Sequence, residues 1–526
     1  MAKVLFINPV VRQEDIPRHI PYGIALLASI AMKAGHLVQV YDANAWRAGD
    51  EVLGQVIEAD DWDVIAIGGI TTTYGHVKNI CRLVRQCTDK ALIVVGGGLL
   101  TAMPRDIMSL IPEIDIGVIG EAFLTFNDIL EQVDARQLRP VQIRGIIFTD
   151  GAVLRITPAR ALLHDLDTLP PPAYELFPLE EVYFPNSRML FSEEGMTAKR
   201  RIDINASYGC SLVCKFCFHL GLSGDMKYVA DESGTVDVQF DTPGSYKRDI
   251  RFHSPRYIVN LVKSLHAKYE IDYVAFLDEN MMTMDQYSGR RWLREICDLW
   301  IVEGLQPSCV RQGIPHDENC RGVHWDGTSH ATLVNKEILN GMHEAGCSAL
   351  VYGYESFSPQ ILKRLGKGAT RETNIRSFFS TLEAGIRPIP NQIIGFPSED
   401  FDSLRADMRA WEELGIIVKP FFATPYPGSM WYAIYKGQIL AQYGGDLERF
   451  LLDLGDATKL TGIISENFNA VELYGLRELM VNFEYDRIAE YEREWRSRHP
   501  VADAMKAADS REQASRLALA KLHVVS

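Results

Sequence analysis

Short apolar runs alternate with longer amphipathic stretches over the first 135 residues of the chain. Runs rich in Val and Ile, such as KVLFIN, DVIAIGG and ALIVVGGG, have the length and composition of buried strands. The stretches between them, for example YGIALLASIAMKAGH and HVKNICRLVRQC, repeat apolar residues at helical spacing. Five such runs with helices between them predict a parallel α/β sheet covered on both faces.

A second series of alternating runs begins near residue 201. Its clearest strands are RIDINAS, DYVAFLDEN, ALVYGYES and IPNQIIGFP. Helical patterns separate these runs, and the series contains six β/α units in all. Six units predict a partial (β/α)6 TIM-like barrel, whose chemistry would lie at the carboxyl ends of its strands.

A proline-rich segment separates the two series. The consecutive prolines of LPPPAYELFP exclude helix and favour extended backbone, and Asp150-Gly151 predicts a hairpin turn before them. A charged, amphipathic helical pattern follows the last barrel strand. We therefore expect an N-terminal α/β domain, a linker, the barrel and a helical C-terminal domain, at residues 1–140, 141–200, 201–425 and 426–526.

Glycines follow three of the predicted N-terminal strands. They are Gly68-Gly69, Gly96-Gly97-Gly98 and Gly120. Ligands of open α/β sheets lie at the carboxyl ends of strands, where glycine lets the backbone approach them closely. Tight turns alone would also explain these residues. Because three strand ends share the feature, we favour the ligand-binding interpretation.

The composition excludes several classes of protein. The 526 residues are 47% hydrophobic and 23% charged, which is typical of a globular protein with more than one domain. A formal net charge of −15 argues against nucleic acid as a partner and favours a small-molecule substrate. No apolar run approaches the ~20 residues of a membrane span. Nine cysteines, and a first stretch unlike a secretion signal, predict a cytoplasmic location.

Three cysteines lie close together, with the spacing Cys210-x3-Cys214-x2-Cys217. A structural zinc site takes four protein ligands, and the candidate for a fourth is His219, just after Cys217. A cubane iron–sulfur cluster held by three thiolates would instead keep one iron without a protein ligand. We therefore predict that Cys210, Cys214 and Cys217 bind a catalytic [4Fe-4S] cluster, whose open iron takes a substrate or cofactor.

This cysteine motif, placed after a strand that opens a β/α barrel, resembles the radical S-adenosylmethionine (SAM) superfamily. The resemblance covers residues 201–420. It implies that SAM is chelated to the open iron and contacted by four elements: an aromatic residue before the third cysteine, an acidic motif after the second strand, a G-x-E-S element and a fifth-strand turn. The matching residues are Phe216; Asp278, Glu279 and Asn280; Glu355 and Ser356; and Ile394, Gly395 and Phe396. For Glu355 the alternative is a buried acid paired within the barrel.

The N-terminal half resembles the flavodoxin-like or Rossmann-like cobalamin-binding domain that precedes this barrel in one large subgroup, and the linker sequence is similar as well. Related domains that coordinate cobalt with a protein histidine carry Asp-x-His-x-x-Gly after the first strand. Here Pro17 stands two positions after Asp15, and His19 has the wrong spacing. The resemblance therefore implies cobalamin with no protein histidine ligand to cobalt. The implied contacts are Thr71, Thr72 and Thr73; Gly96, Gly97 and Gly98; and Gly120 and Glu121. Helix capping by a threonine, or a domain that kept its fold but lost cobalamin, are the alternatives.

The combined resemblance implies a cobalamin-dependent radical SAM methyltransferase. In such an enzyme an external low-potential donor of the flavodoxin or ferredoxin type reduces the cluster. SAM then yields a 5′-deoxyadenosyl radical, which abstracts hydrogen from an unactivated carbon of a small biosynthetic intermediate, and methylcobalamin methylates that carbon. One alternative keeps the cofactors but cyclises or rearranges the substrate without net methylation, as in the anaerobic magnesium-protoporphyrin ester cyclase. A cobalamin-responsive sensor is the third hypothesis.

Two long loops of the second half carry further candidates. Residues 306–330 contain possible ligands of a second metal, namely Cys309, Cys320, His316, His324 and His330. Their spacing matches no tight motif, so we favour a loop that caps the substrate. Residues 226–255 either wall the active site or form a surface excursion. The aromatic residues of YPGSMWYAIYKG fit either the core or a pocket.

Overall fold

The structure, a computed structural model, describes residues 1–189, 191–212, 214–217, 226–231, 235–240 and 249–499. His219, the alternative ligand beside the three cysteines, lies outside these residues, as do parts of the 226–255 loop and the end of the predicted helical tail. Both sheets predicted from the hydrophobic pattern are present, and a helical region follows them.

The N-terminal half forms a seven-stranded sheet with the order β2-β1-β3-β4-β5-β6-β7. Its strands are β1 (Lys3–Asn8), β2 (Leu37–Asp42), β3 (Val64–Gly68), β4 (Leu92–Gly96), β5 (Ile116–Val118), β6 (Ile146–Asp150) and β7 (Val153–Ile156). The first five are parallel, which confirms the flavodoxin-like prediction. The hairpin of β6 and β7, which we assigned to the linker, continues this sheet in the antiparallel sense.

Successive residues of each N-terminal strand enter two different cores. Phe6 and Val94 pack on one face with the helices of residues 22–33 and 123–134. Leu5 and Val95 pack on the other face with the helices of residues 50–58 and 74–87. Burial on both faces explains why these strands are continuous apolar runs. The helices are α1 (Tyr22–Lys33), α2 (Ala43–Trp46), α3 (Asp50–Glu58), α4 (Tyr74–Cys87), α5 (Gly98–Ala102), α6 (Pro104–Leu110) and α7 (Phe123–Asp134).

The linker binds both halves through buried tyrosines. The Tyr174 hydroxyl donates to the Asp203 carbonyl at 2.7 Å, and the Tyr183 hydroxyl donates to the Asp42 carboxylate. The segment predicted as extended includes a 3-10 turn, Tyr174–Leu176, and helix α8 (Glu193–Thr197) leads into the barrel. The linker is therefore packed against both sheets.

The described residues of the second half contain ten strands. They are β8 (Arg201–Ile204), β9 (Ser207–Tyr208), β10 (Met226–Ala230), β11 (Val236–Phe240), β12 (Arg251–Phe252), β13 (Tyr273–Phe276), β14 (His324–Ser329), β15 (Cys347–Glu355), β16 (Arg387–Ile394) and β17 (Phe421–Phe422). Six of them form one parallel sheet with the order β17-β16-β15-β14-β13-β8. This open, curved arrangement confirms the predicted partial barrel.

Helices cover the outside of the partial barrel and also follow its last strand. They are α9 (Pro255–Tyr269), α10 (Met282–Tyr287), α11 (Trp292–Val302), α12 (Ser308–Gln312), α13 (Lys336–Glu344), α14 (Pro359–Leu365), α15 (Arg371–Glu383), α16 (Phe401–Leu414), α17 (Met430–Gln442), α18 (Leu447–Asp453), α19 (Ala470–Val481) and α20 (Tyr485–Arg498). Among the described residues, no helix has both the length and the apolar character that crossing a bilayer requires.

Two small antiparallel strand pairs are formed by the segments on either side of the cysteine motif, before α9. Strand β9 pairs with β12, and β10 pairs with β11. The Arg105 guanidinium of the N-terminal domain donates to the Val236 carbonyl and lies 3.6 Å from the Asp237 carboxylate. The described part of the 226–255 loop therefore packs against the N-terminal domain.

Candidate cofactor-binding site

The cysteine loop, residues 209–217, follows β9 at the carboxyl end of the barrel. Cys210 and Cys214 are buried and Cys217 is half-buried. The Cys217 N–H donates to the Cys214 carbonyl at 3.2 Å, and the Lys215 N–H donates to the Leu365 carbonyl at 3.4 Å. The loop is thus held against the end of α14. All nine cysteines lie in the described residues and none forms a disulfide. Three soft ligands on one short loop fit an iron–sulfur cluster.

Asp278, just beyond β13, braces the start of this loop. Its carboxylate accepts hydrogen bonds from the Ala206 N–H at 3.1 Å and from the Ser207 hydroxyl. Burial raises the pKa of Asp278 to about 6, although these hydrogen bonds favour the charged form. The carboxylate that we predicted to contact SAM therefore positions the backbone that carries the cysteines.

Asn280, in the same motif, has unused hydrogen-bonding capacity. Its Oδ1 accepts from the Met282 N–H at 3.2 Å, but its buried Nδ2 meets no acceptor among the residues that the structure describes. A buried polar group left without a partner costs about 1–3 kcal/mol, so such groups are usually satisfied by a ligand or water. Glu279 is exposed beside it. The Asn280 amide fits a contact to a bound cofactor.

Glu355 ends β15 in an uncommon backbone conformation. Its φ is +64°, and the register between β15 and β16 shifts between Gly353 and Glu355. A non-glycine residue in this region is strained, and such strain is common at functional sites. The buried carboxylate lies 2.7 Å from the Lys367 Nζ, which is the pairing within the barrel that we gave as the alternative. A Cβ at Gly353 would lie 2.3 Å from Glu355 Oε1, so the glycine leaves room for the carboxylate in this position.

Lys367 places a buried cation beside the cluster ligands. Its Nζ lies 5.8 Å from the centre of the Phe216 ring. Burial lowers the pKa of Lys367, but the Glu355 carboxylate and the thiols of Cys214 and Cys217 together raise it above its ordinary value. The ammonium group therefore faces both the predicted SAM contacts and the thiolates that would hold iron.

Ser356 points away from the barrel mouth. Its hydroxyl donates to the Asp407 carboxylate of α16 at 2.9 Å, and the Phe357 N–H donates to the same carboxylate. Burial raises the pKa of Asp407 to about 7, against the effect of these hydrogen bonds. The role predicted for Ser356 at the SAM ribose stays a prediction, since the observed contact anchors the turn after β15.

The turn after β16 is closed by its own hydrogen bonds. The Ile394 carbonyl accepts from the Ala423 N–H at 2.8 Å, and the Gly395 N–H donates to the buried carboxyl group of Glu399. Gly395 has a φ of +94°, which favours glycine. The predicted backbone contact to adenine at Ile394 and Gly395 stays a prediction.

Trp431 joins two predicted SAM contacts. Its ring centre lies 5.5 Å from that of Phe216 and 5.7 Å from that of Phe396. Trp431 begins α17 and is buried. One aromatic residue of the YPGSMWYAIYKG stretch thus forms the wall behind the cysteine loop, whereas Tyr432 stacks on Phe450 in the core.

A cleft of about 390 Å³ opens at the carboxyl ends of β1, β3, β4 and β5. Apolar side chains from the sheet, α1 and α7 form its inner walls, and glycines form its mouth: Gly68, Gly69, Gly96, Gly97, Gly98 and Gly120. Gly97 has a φ of +89°, and a Cβ there would lie 2.5 Å from the Gly69 carbonyl oxygen. A glycine-rimmed, largely apolar cleft fits a flat macrocycle and its attached base.

Tyr208 connects this glycine cleft to the cysteine loop. The residue lines the cleft from β9 and precedes Cys210 by two positions. Its ring centre lies 5.5 Å from that of Phe123 at the start of α7. The Tyr22 hydroxyl donates to the Asn205 carbonyl at 3.2 Å, which joins the two domains at the same place. The cleft and the cysteine loop therefore share a wall.

The three predicted threonines divide between two roles. The Thr73 hydroxyl accepts from the Ile70 N–H at 3.1 Å and donates to the Ile70 carbonyl at 2.9 Å, so it caps the turn before α4. Thr71 and Thr72 line a second cavity of about 580 Å³. Val11 and Ile70 line both cavities, which are therefore neighbours.

Glu121 has its own protein partners. Its carboxylate binds the Arg251 guanidinium at 2.5 Å and accepts from the Leu163 N–H at 2.9 Å. The exposed fractions of the Glu121 and Arg251 side chains are 4% and 2%. The residue lines the glycine cleft, yet its charge ties β12 to the N-terminal domain. A Cβ at Gly120 would lie 2.7 Å from the Met226 Cε, so β10 covers that glycine.

His19 is engaged away from the glycine cleft. Its Nδ1 lies 3.1 Å from the Asp203 carboxylate of β8, which also accepts from the Ile20 N–H at 3.1 Å. Burial raises the pKa of Asp203, but Arg201 and His19 outweigh this effect and lower it. These contacts attach the loop after β1 to the barrel.

Two family models match the chain. The B12-binding domain model matches residues 12–130, and the radical SAM superfamily model matches residues 204–410. The chain therefore contains a B12-binding domain followed by a radical SAM domain. These two domains confirm the cofactors predicted from the sequence, which are a [4Fe-4S] cluster, SAM and cobalamin.

The curated relatives of this chain carry two kinds of name. An uncharacterized methyltransferase of Pyrococcus horikoshii is 26% identical over 424 residues, which are 80% of each chain. The anaerobic magnesium-protoporphyrin IX monomethyl ester cyclase of Cereibacter sphaeroides is 22% identical over 80% of this chain and 61% of its own. The solved radical SAM methyltransferase TsrM of Kitasatospora setae, with cobalamin and a [4Fe-4S] cluster bound, has a TM-score of 0.60 and 17% identity over 84% of this chain and 75% of its own. It has the same fold.

Sequence reasoning missed several residues at this site. Lys367, Arg251 and Tyr208 were not predicted, because their partners are distant in the chain. The one local signal was the Gly-Lys-Gly turn around Lys367, where both flanking glycines have positive φ. We grouped His330 with the possible ligands of a second metal, but it lies at the carboxyl end of β14. Its Nδ1 is 2.8 Å from the Thr332 hydroxyl oxygen. Burial lowers the pKa of His330 to about 3.

Proposed function

We propose that this protein is a methyltransferase that abstracts hydrogen from an unactivated carbon of a small biosynthetic intermediate and transfers a methyl group from methylcobalamin to that carbon. One observation carries the proposal: the glycine cleft and the cysteine loop share the wall that contains Tyr208. Radical formation and methyl donation must reach the same carbon, at about 3–3.5 Å in the reacting complex. A corrin in this cleft would be next to the site of the cluster.

The residues of the chain would hold and separate the reactive groups. Cys210, Cys214 and Cys217 would bind three irons of the cluster. The Asn280 amide and the aromatic wall of Phe216 and Trp431 would orient SAM at the remaining iron. When bound, the cofactors pass on the electron and supply the carbon radical and the methyl group.

The cradle for cobalamin would depend on backbone. Gly97 and Gly120 let the strand ends approach the corrin, and the apolar walls of the cleft exclude water. The neighbouring cavity of about 580 Å³ is within the usual size of small-molecule sites, so we place the substrate there. The electron would come from an external donor of the flavodoxin or ferredoxin type, in the cytoplasm.

A second candidate function is cyclisation or rearrangement without net methylation. The likeness to the ester cyclase, 22% identical over 423 residues, favours it. The same cofactors and the same protein residues would serve both reactions, so the product has to decide between them.

Labelled SAM separates these functions. The anaerobically reconstituted enzyme is incubated with a reductant, candidate substrates and SAM with a deuterated methyl group. Methyltransfer predicts a product heavier by one labelled methyl group, with one 5′-deoxyadenosine formed per turnover. An altered product without label would support the second candidate. SAM that stays intact with every substrate would contradict both and favour a sensor.

The state of the cobalt provides a separate test. Electron paramagnetic resonance of the reduced cobalamin form should show no coupling to a histidine nitrogen, and His19→Ala should leave the spectrum unchanged. Nitrogen coupling that disappears in His19→Ala would overturn the assignment of cobalamin without a histidine ligand.

A further inference from the structure

A compact cluster of four side chains lies at the end of the barrel opposite the cysteine loop. Cys309 belongs to α12, His324 is the first residue of β14, and His316 and Cys320 come from the loop between them. The amino ends of barrel strands form the face opposite the catalytic one. We predicted that residues 306–330 cap the substrate. Residues 306–323 precede β14 and lie at the face opposite the cysteine loop, which does not fit that prediction.

The ligand atoms of these four residues converge on one point. All four lie within 4.8 Å of one another. The Cys309 sulfur is 3.7 Å from His316 Nδ1 and 3.5 Å from His324 Nε2, and the Cys320 sulfur is 3.7 Å from His324 Nε2. Zinc with two sulfur and two nitrogen ligands in a tetrahedron would place sulfur and nitrogen about 3.6 Å apart. The observed separations match this geometry.

The two sulfur atoms lie 2.8 Å apart. A disulfide requires about 2.05 Å, and two zinc-bound thiolates would be about 3.8 Å apart. The thiols are not bonded to each other, and a small rotation of the half-buried Cys320 side chain would bring its sulfur to the zinc-bound separation.

Neighbouring groups fix which histidine nitrogens face the sulfurs. The Thr197 hydroxyl donates to the Glu193 carbonyl at 3.0 Å, so it accepts from His316 Nε2–H at 2.7 Å. The lone pair of Nδ1 then points at Cys309. His324 Nδ1 lies 3.3 Å from the Gly346 carbonyl, which can only accept, so Nε2 carries the lone pair that faces both sulfurs. Metal-binding histidines are oriented by hydrogen bonds of this kind.

Two hydrogen-bond donors face the Cys320 sulfur. The Cys320 sulfur accepts from the Cys309 N–H at 3.3 Å and from the Ser308 hydroxyl at 3.6 Å. Cys309 and His324 are buried, and a cavity of about 520 Å³ lined by His316, Cys320 and His324 gives access from solvent. A buried pair of ligands with an entry path is what a metal site needs.

We propose that Cys309, His316, Cys320 and His324 bind a zinc ion. Four protein ligands leave no open position, so the ion would be structural. It would fasten α12 and its loop to the start of β14. Through Thr197 and Gly346 the ligands also contact the segments that lead into β8 and β15. The proposal does not depend on the reaction of the opposite face.

Metal analysis of the full chain tests the proposal. Protein purified anaerobically with its iron–sulfur cluster is dialysed against a chelator, and zinc and iron are counted per chain. We expect about one zinc in the wild type. Cys320→Ser and His316→Ala should lose it while keeping the iron. Cys87→Ser, which changes a half-buried thiol on α4, is the matched control and should keep both metals.

X-ray absorption at the zinc edge needs only the wild type, so its result does not depend on whether the variants fold. We expect two sulfurs at about 2.3 Å and two nitrogens at about 2.0–2.1 Å, a signal that neither iron nor corrin cobalt can imitate. A protein without zinc, iron at this site in its place, zinc retained in both variants, or a Cys309–Cys320 disulfide found by thiol counting would each overturn the proposal.

Discussion

The two ends of the barrel hold cysteine clusters of opposite design. At the carboxyl end, three cysteines come from one short loop, and the residues around them carry strain and unused hydrogen-bonding capacity, as at Glu355 and Asn280. At the amino end, two cysteines and two histidines converge from a helix, a loop and a strand, and hydrogen bonds orient both histidines. Three cysteines would leave one iron of a cluster without a protein ligand, whereas the four residues at the amino end would fill every position of a tetrahedral zinc ion.

This contrast shows how ligand number relates to function. An open position is useful only if the surroundings leave room for a cofactor and hold the remaining ligands firmly. Here Asp278 holds the backbone before the cysteines by accepting a hydrogen bond from Ala206. Lys367 holds the Glu355 carboxylate beside them. A closed site needs no such space, and it can sit where its effect is to join segments of the fold.

Removing one thiol from the open end should have the largest effect. Cys214→Ala should lower the rate of SAM cleavage by roughly 10³-fold or more, because a cluster missing a ligand cannot present its iron to SAM. Zinc content should stay at the wild-type value. Cleavage is measured as 5′-deoxyadenosine formed under anaerobic reduction. Cys320→Ser is the matching variant at the closed end and should keep SAM cleavage. Equal loss of cleavage in both variants would contradict the difference in function between the two ends.

The sequence predicted the open end far better than the closed end. Cys210, Cys214 and Cys217 come from one loop, so their spacing survives as a local pattern. Cys309 and His324 meet only because α12 packs beneath β14, and no short motif encodes that approach.

The same limit applies to ion pairs between distant segments. Glu121 was predicted to contact cobalamin from its place after a strand, but its partner Arg251 is far along the chain. The series of strands and helices was predictable because the alternation of apolar and amphipathic runs repeats over many residues. A single buried contact does not repeat, and only the folded chain shows it.

Lys367→Met should destabilise the open end strongly. The exposed fractions of Lys367 and Glu355 are 7% and 9%, and removing one partner of such a buried pair typically costs about 3–5 kcal/mol. Urea unfolding followed by circular dichroism measures the loss. Lys363→Met, an exposed lysine in α14 four residues earlier in the chain, should change stability little. The double variant Glu355→Gln with Lys367→Met should recover much of the loss, and no recovery would mean that the pair is not the cause.

Gly97→Ala should weaken cobalamin binding and cost roughly 2–3 kcal/mol of stability. Its φ is +89°, and the added Cβ would lie 2.5 Å from the Gly69 carbonyl oxygen. Gly35→Ala is the matched control, since its φ is +87° with no atom within 4 Å of the added Cβ. It should cost about 1 kcal/mol from backbone strain alone. Cobalamin titration and urea unfolding should separate the two variants, and equal effects would contradict the close approach of the strand ends.

The smallest effect is expected behind the open end, at Asp407. Burial raises its pKa in the folded protein to about 7, above the value of about 3.9 in an unfolded chain. The folded state therefore holds the proton more tightly, so the stabilisation is fully present below about pH 4 and is lost as the pH rises through 7. Between pH 6 and pH 8 this group should remove on the order of 1–2 kcal/mol from the free energy of unfolding. Asp407→Asn cannot ionise and should flatten the decline, whereas Asp402→Asn, an exposed residue of the same helix, should keep it.

If unfolding measured across this range gives Asp407→Asn the slope of the wild type, then Asp407 is ionised in the folded protein. Ser356 and Phe357 would in that case hold a carboxylate, and the turn after β15 would be anchored by a buried charge.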